Sequence, residues 1–346
     1  MTSTRQVAVV TGASAGVGRA TVRELARRGF DVALLARGEG GLASAEGEVH
    51  AAARRALAIP TDVAVWAEVD DAARRIEEEL GPIDLWVNNA MTTVFGRFWD
   101  CDPEDYRRAT EVTYLGQVHG TMAALNRMRP RDKGRIVNVG SALAFLGIPL
   151  QSAYCGAKFA CRGFTESVRS ELMAEGSSVS IAMVHLPAVN TPQFDWCKNL
   201  LPNHPQPVPP IYEPEVAAKA IVDVAIDGRR TKVLGVWNKV VVAAARAAPG
   251  TAERFAARTA IDGQQTDETA DPDRPIDLWE PVDEKADHGA HGSFDERSSG
   301  MFEPQFLRSL PGTLTTLGAS AVGAAAARGG NVVRMLARVR GSTSLP

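Results

Sequence analysis

Tyr154 and Lys158 are the pair whose types and spacing most directly suggest chemistry. They stand four residues apart in Tyr154-Cys155-Gly156-Ala157-Lys158, so on a helix they share one face. A phenol titrates near pH ~10, too high to trade protons freely at neutrality. An adjacent ammonium is expected to stabilise the phenolate and lower that pKa. Ser141, upstream, offers a hydroxyl that can polarise the same substrate oxygen. A second constellation lies near the N-terminus, in Thr11-Gly12-Ala13-Ser14-Ala15-Gly16-Val17-Gly18. Its glycines let the backbone turn sharply and approach a pyrophosphate, and a following helix would supply N–H donors and positive dipole. The spacing is G-x-x-x-G-x-G rather than G-x-G-x-x-G. Gly12, Ser14, Gly16, Val17 and Gly18 are therefore candidate cofactor contacts.

Both constellations need a scaffold. Apolar runs at Val7–Val10, Asp31–Ala36, Ala56–Ile59, Ile83–Asn88, Arg135–Gly140, Val179–His185 and Lys232–Val236 predict seven strands. Amphipathic stretches predict helices at Val17–Arg28, Leu42–Arg55, Val65–Leu80, Pro103–Met128, Ser152–Ala174 and Glu213–Ile226, with Asp102 as an N-cap. Continuous apolar strands alternating with helices imply an α/β protein: a doubly wound parallel sheet with helices on both faces. Residues 1–260 are assigned to this domain and 261–346 to a C-terminal extension.

In dinucleotide folds an acidic residue at the end of the second strand holds the ribose 2′-OH. Here that position reads Ala36-Arg37. No carboxylate repels a 2′-phosphate, and Arg37 can bind one, so NADP(H) is favoured over NAD(H). Arg19, after the last glycine, suits either phosphates or the surface.

Taken in order, the glycine loop, Asn88-Asn89-Ala90, Ser141 and Tyr154/Lys158 resemble the short-chain dehydrogenase/reductase family, from about residue 5 to residue 235. The resemblance implies a Rossmann fold with a seven-stranded sheet, and hydride transfer between a nicotinamide cofactor and a carbonyl or alcohol. Ser141, thirteen residues before Tyr154, then polarises the oxygen that Tyr154 protonates. It also implies that Asp62 and Val63 meet the adenine, that Asn89 and Ala90 border the cofactor, and that Val189 and Thr191 reach the carboxamide. Three positions depart from the family pattern. Met91 and Ala188 replace glycines. Thr113 stands where the family has an Asn bracing a proton relay; it is retained as a candidate catalytic residue that holds a water through its hydroxyl, and Thr113→Asn is expected to be tolerated. These departures keep an alternative in view: a fold-retaining regulatory or scaffold protein with little turnover. The helices Pro103–Met128 and Ser152–Ala174 would form the family's face for a homodimer or homotetramer.

Hydrophobic residues are 45% of the chain and the formal net charge is −3. That balance gives no basic field for nucleic acid. Cys101, Cys155, Cys161 and Cys197 have no paired spacing and read as reduced thiols, which with the absence of a signal-peptide pattern suggests the cytoplasm. His288 and His291 lack further ligands, so no metal site is expected; His185 reads as a packed residue. Ala142, Leu143, Phe145, Leu146, Phe194 and Trp196 suggest an apolar pocket for a bulky lipid-like, steroid-like or aromatic substrate, built from residues 92–99, 142–150 and 187–212. Val236–Ala260 is predicted to be one helix available for a partner. Residues 262–300 are polar and read as extended or partly disordered. Residues 302–340 interleave arginines with apolar residues, compatible with peripheral membrane contact, a subunit-contact helix or a loose tail.

Overall fold

The computed structural model describes residues 5–284 and 286–300. Every residue of β1 (Val7–Thr11) and β2 (Asp31–Ala36) is buried, as a parallel strand covered on both faces requires. With β3 (Ala56–Pro60), β4 (Ile83–Asn88), β5 (Arg135–Ser141), β6 (Ser180–Leu186) and β7 (Thr231–Val233) they form one seven-stranded sheet. Its order is β7-β6-β5-β4-β1-β2-β3, parallel throughout. One core lies under α1 (Gly16–Arg27), α2 (Glu39–Ala51) and α7 (Pro214–Asp227), where Val22, Leu25, Leu42 and Ile221 are buried. The other lies under α3 (Trp66–Glu79), α5 (Gly116–Met128) and the C-terminal part of α6 (Ser152–Ala174), around Ile76, Trp86, Met128 and Leu172. The strand order reverses between β1 and β4. At such a reversal the connections leave to opposite faces and open a crevice at the carboxyl ends of the strands.

The predicted helix at Pro103–Met128 is interrupted. α4 (Pro103–Thr110) begins at Asp102, whose carboxylate accepts from the Glu104 N–H at 2.8 Å. A π turn, Glu111–Leu115, then joins it to α5.

The C-terminal expectations need correction. Val236–Ala260 is two helices, α8 (Val236–Ala247) and α9 (Pro249–Gly263), because Pro249 cannot continue α8 but suits the first turn of α9. A boundary at residue 260 would cut α9. The polar residues 264–284 and 286–300 pack against the sheet domain. Gln265–Thr269 pairs with Asn203–Pro205, and Ser298–Ser299 joins Ile211–Tyr212 and Ala188–Val189 in a small parallel sheet. Between these anchors, residues 277–284 and 286–289 run as a strap along the crevice. The segment 302–340 lies outside the described residues. Among the described residues no helix is long and apolar enough to cross a membrane.

Candidate active site

A cleft of about 560 Å³ follows the crevice, from Gly12–Val17 past Arg37 and Asp62 to Ser141, Tyr154 and Lys158. At its first end Gly12 (φ +65°) and Gly16 (φ +56°) hold backbone that side-chain-bearing residues avoid. Gly18 is required for a different reason: a Cβ there would lie 1.9 Å from the Gly12 carbonyl oxygen. The cradle and the length of the cleft fit an extended dinucleotide with its phosphates at the α1 N-terminus. Thr11, within the loop but not singled out from sequence, ties it to β4: its Oγ1 accepts from the N–H groups of Asn89 (2.9 Å) and Ala90 (3.0 Å). Asn89 Nδ2 donates back to the Thr11 carbonyl at 3.0 Å.

At the other end, Ser141 closes β5 and Tyr154 and Lys158 lie in the first two turns of α6. The Leu143 N–H donates to Ser141 Oγ at 3.1 Å, which leaves the Ser141 proton free to be given away. Ser141 and Tyr154 line the same stretch of the cleft, and the Ser141 hydroxyl pulls the Tyr154 pKa downward. Lys158 is fully buried; its Nζ lies 5.5 Å from the centre of the Tyr154 ring and donates to the Val139 carbonyl at 2.9 Å. The expected lowering of the tyrosine pKa is not seen in the isolated chain. Burial raises it well above the usual phenol range, against the downward pull of the Ser141 hydroxyl. Burial likewise lowers the Lys158 pKa. Desolvation outweighs mutual stabilisation here because the ammonium sits beside the ring and is bonded to a neutral carbonyl.

Thr113 does not face this pair as expected. Its Oγ1 donates to the Thr92 carbonyl at 2.7 Å and accepts from the Thr92 N–H at 3.0 Å, so the hydroxyl is spent on the loop after β4. Gln117, one turn later, was not anticipated. Its Nε2 donates to the same Val139 carbonyl as Lys158, at 2.9 Å, and its buried Oε1 has no hydrogen-bond partner among the described residues. Asn88 braces the sheet end from behind, donating to Asn138 Oδ1 at 2.8 Å and Thr121 Oγ1 at 3.0 Å.

Asp62 and Val63 border the cleft, but the Asp62 carboxylate is paired with Arg108 at 2.6 Å. Val189 and Thr191 line it beside Gly16, with Val189 held in the small sheet through Tyr212. Met91 also lines it. Arg37 stands at the end of β2, yet its guanidinium donates to the carbonyls of Asp277, Leu278 and Trp279 in the strap. Arg19 is buried, pairing with Glu48 at 2.9 Å and with the strap residue Asp287 at 3.1 Å.

Leu143, Leu146, Phe194 and Trp196 line the widened end of the cleft. Phe145 does not; it packs against His185 with ring centres 4.7 Å apart. His185 is a core residue whose Nδ1 meets the Ser141 carbonyl, and burial pushes its pKa down to about 4. Trp237 and Val241 of α8 and Phe255 and Thr259 of α9 complete the wall. These helices were expected to face a partner; only their small-residue composition, not their position, could be read locally. His291 is engaged by Asp295 and Glu215, and no metal-holding cluster occurs among the described residues.

A doubly wound sheet with a glycine-rich phosphate cradle and a Ser–Tyr–Lys set at its carboxyl edge defines a nicotinamide-dependent oxidoreductase. The short chain dehydrogenase family description matches residues 6–197, and the chain belongs to that family. It is 32% identical to the oxidoreductase YxnA of Bacillus subtilis over 277 residues, 80% of this chain and 78% of the relative. It is also 32% identical to the 3-dehydrosphinganine reductase of Danio rerio over 235 residues, 66% of this chain and 70% of that protein. Among solved structures, the alcohol dehydrogenase of the archaeon Thermococcus sibiricus, complexed with 5-hydroxy-NADP, superposes with a TM-score of 0.58 at 26% identity. That match covers 66% of this chain and 95% of that one. A Burkholderia phymatum short-chain dehydrogenase/reductase in complex with NAD shares the fold at a TM-score of 0.64 and 23% identity, over 71% and 93% of the two chains. The protein is thus an NAD(P)-dependent enzyme acting on CH–OH and C=O groups.

Proposed function

We propose that this enzyme reduces a bulky apolar ketone, or oxidises the matching alcohol, with NADP(H) and with Tyr154 as the proton-transfer group. The observation that carries this is that Ser141, Tyr154 and Lys158 line the same cleft as the glycine cradle. A nicotinamide cofactor bound along the cleft supplies or accepts the hydride. The chain's own residues do the rest. Tyr154, its pKa raised by burial above an already high phenol value, stays neutral at physiological pH, the form needed to protonate an oxygen that gains negative charge. Ser141, oriented by the Leu143 N–H, donates to that oxygen as well. Buried Lys158, held by Val139, is placed under the tyrosine to bind a ribose hydroxyl.

Arg37 supports the phosphorylated cofactor. It would exchange three neutral carbonyl acceptors for an anionic phosphate, gaining bidentate ion-pair geometry. The apolar wall of Leu143, Leu146, Trp196 and Phe255 supports a lipid-like substrate, as does a relative named for 3-dehydrosphinganine, a lipid ketone. Two copies would pair through α5 and α6.

NADPH consumption followed by absorbance over a panel of long-chain ketones tests the assignment. Tyr154→Phe is expected to lower kcat by about 10²-fold or more while dinucleotide affinity stays. Equal kcat in the variant, or no turnover by the parent across the panel, would sink it.

A further inference from the structure

The phosphate-facing half of the cleft carries several groups suited to anions, the N–H groups at the start of α1 and α2 and Arg37, with buried Arg19 behind them. Several of these are engaged by the chain's own oxygen atoms. The Gly16 N–H donates to the Gly289 carbonyl at 3.0 Å. Arg19 holds Asp287, and Arg37 holds the carbonyls of residues 277–279. At the start of α2 the Gly41 N–H donates to Asp283 Oδ2 at 2.7 Å.

The seat for Asp283 is built from absent side chains. A Cβ at Gly38 would come within 1.8 Å of Asp283 Oδ1, one at Gly40 within 2.5 Å of the Asp283 carbonyl oxygen, and one at Gly41 within 2.8 Å of Oδ2. The Gly38-Glu39-Gly40-Gly41 turn is therefore shaped around a carboxylate delivered from more than two hundred residues away, as the sequence separation of 242 between Gly41 and Asp283 records. That turn follows β2, where a dinucleotide presents the 2′ position of its adenosine ribose. The fit is incomplete. Asp283 Oδ1 is shielded from solvent yet has no hydrogen-bond partner among the described residues. A carboxylate with one satisfied oxygen is an occupant that a better-matched anion displaces.

We propose that Asp283 is an internal stand-in for the 2′-phosphate of NADP(H), so that cofactor choice is a competition between that phosphate and the chain's own carboxylate. This rests on the nicotinamide reading above and adds to it a specificity residue outside the sheet domain. The phosphate carries up to two charges and three acceptor oxygens against one charge and two oxygens on Asp283. It can take the Gly41 N–H and bridge to Arg37 together. A ribose 2′-OH has no charge with which to expel the carboxylate and can instead donate to it. Removing the carboxylate thus helps the phosphorylated dinucleotide and gives the other nothing.

The test measures Kd for NADP+ and NAD+ by titration calorimetry on the full chain, for the parent, Asp283→Asn, Asp283→Ala and Asp287→Ala. Asp283→Asn keeps the shape and removes the charge. Asp287→Ala loosens the strap at Arg19 while leaving the Asp283 carboxylate in its seat on the Gly41 N–H, and so measures loosening alone. The expected result is about a tenfold tighter Kd for NADP+ in both Asp283 variants with no tightening for NAD+. Asp287→Ala should leave the ratio of the two constants unmoved. An unchanged or weaker NADP+ Kd, or an equal gain for both dinucleotides, would overturn the proposal. These are binding constants, so absent ketone turnover would refute the proposed reaction and leave this result standing.

Discussion

Asp277 turns a carboxyl group into the same cleft as Tyr154, 3.4 Å from the Thr92 hydroxyl. Burial pushes its pKa up to about 7, against the downward pull of Arg37, the Thr92 hydrogen bond and Arg108. An unfolded aspartate titrates near ~3.9. Between those values the folded chain holds a proton that the unfolded chain has lost. The contribution of this group to stability therefore falls as pH rises across that window and is level above it. Asp277 belongs to the strap, so the loss is expected locally. Amide exchange over residues 277–283, corrected for intrinsic rates, should show less protection at about pH 8 than at about pH 5.5. Asp277→Asn should remove the difference. Protection that falls equally in the variant would mean that another group controls the strap.

The π turn at Glu111–Leu115 shows how an element can matter through its backbone. It widens the helix so that buried Thr113 reaches the loop after β4 and ties down both polar groups of Thr92. Thr113→Val keeps the volume and leaves a buried N–H and C=O unpaired, a loss of about 1–3 kcal/mol. Denaturant unfolding should register that loss, while the pH dependence of kcat stays where it was. A shifted pH profile with unchanged stability would return Thr113 to the proton path. Thr113→Asn, expected from sequence to be harmless, now carries the cost of a larger group in a filled site. At this scale the strands, the helix register of Tyr154 and Lys158 and the glycine cradle were readable because each is a local pattern. The strap was not. Its composition signals a chain that buries little, while its stability comes from carbonyls and carboxylates meeting Arg19, Arg37 and glycine N–H groups far away in sequence. The one local sign was the cluster Gly38, Gly40 and Gly41, which no helix start needs.

For the whole molecule, the outer face of α5 and α6 is the next thing to probe. Met122 is 47% exposed and Phe159 43%, large apolar side chains on neighbouring helices of a well-packed domain. If two copies pair there, Met122→Glu with Phe159→Glu should halve the mass seen by light scattering and leave the fold intact. An unchanged mass would place the contact elsewhere. The strap also has a consequence in time. Tyr154, Lys158 and the glycine cradle leave the ribosome well before residues 277–289 exist, and domains fold in the order they emerge. A sheet domain folded in that interval would carry an open phosphate cleft, with the donors of Gly16 and Gly41 uncovered. A dinucleotide present during synthesis would meet a more permissive site than the finished enzyme offers.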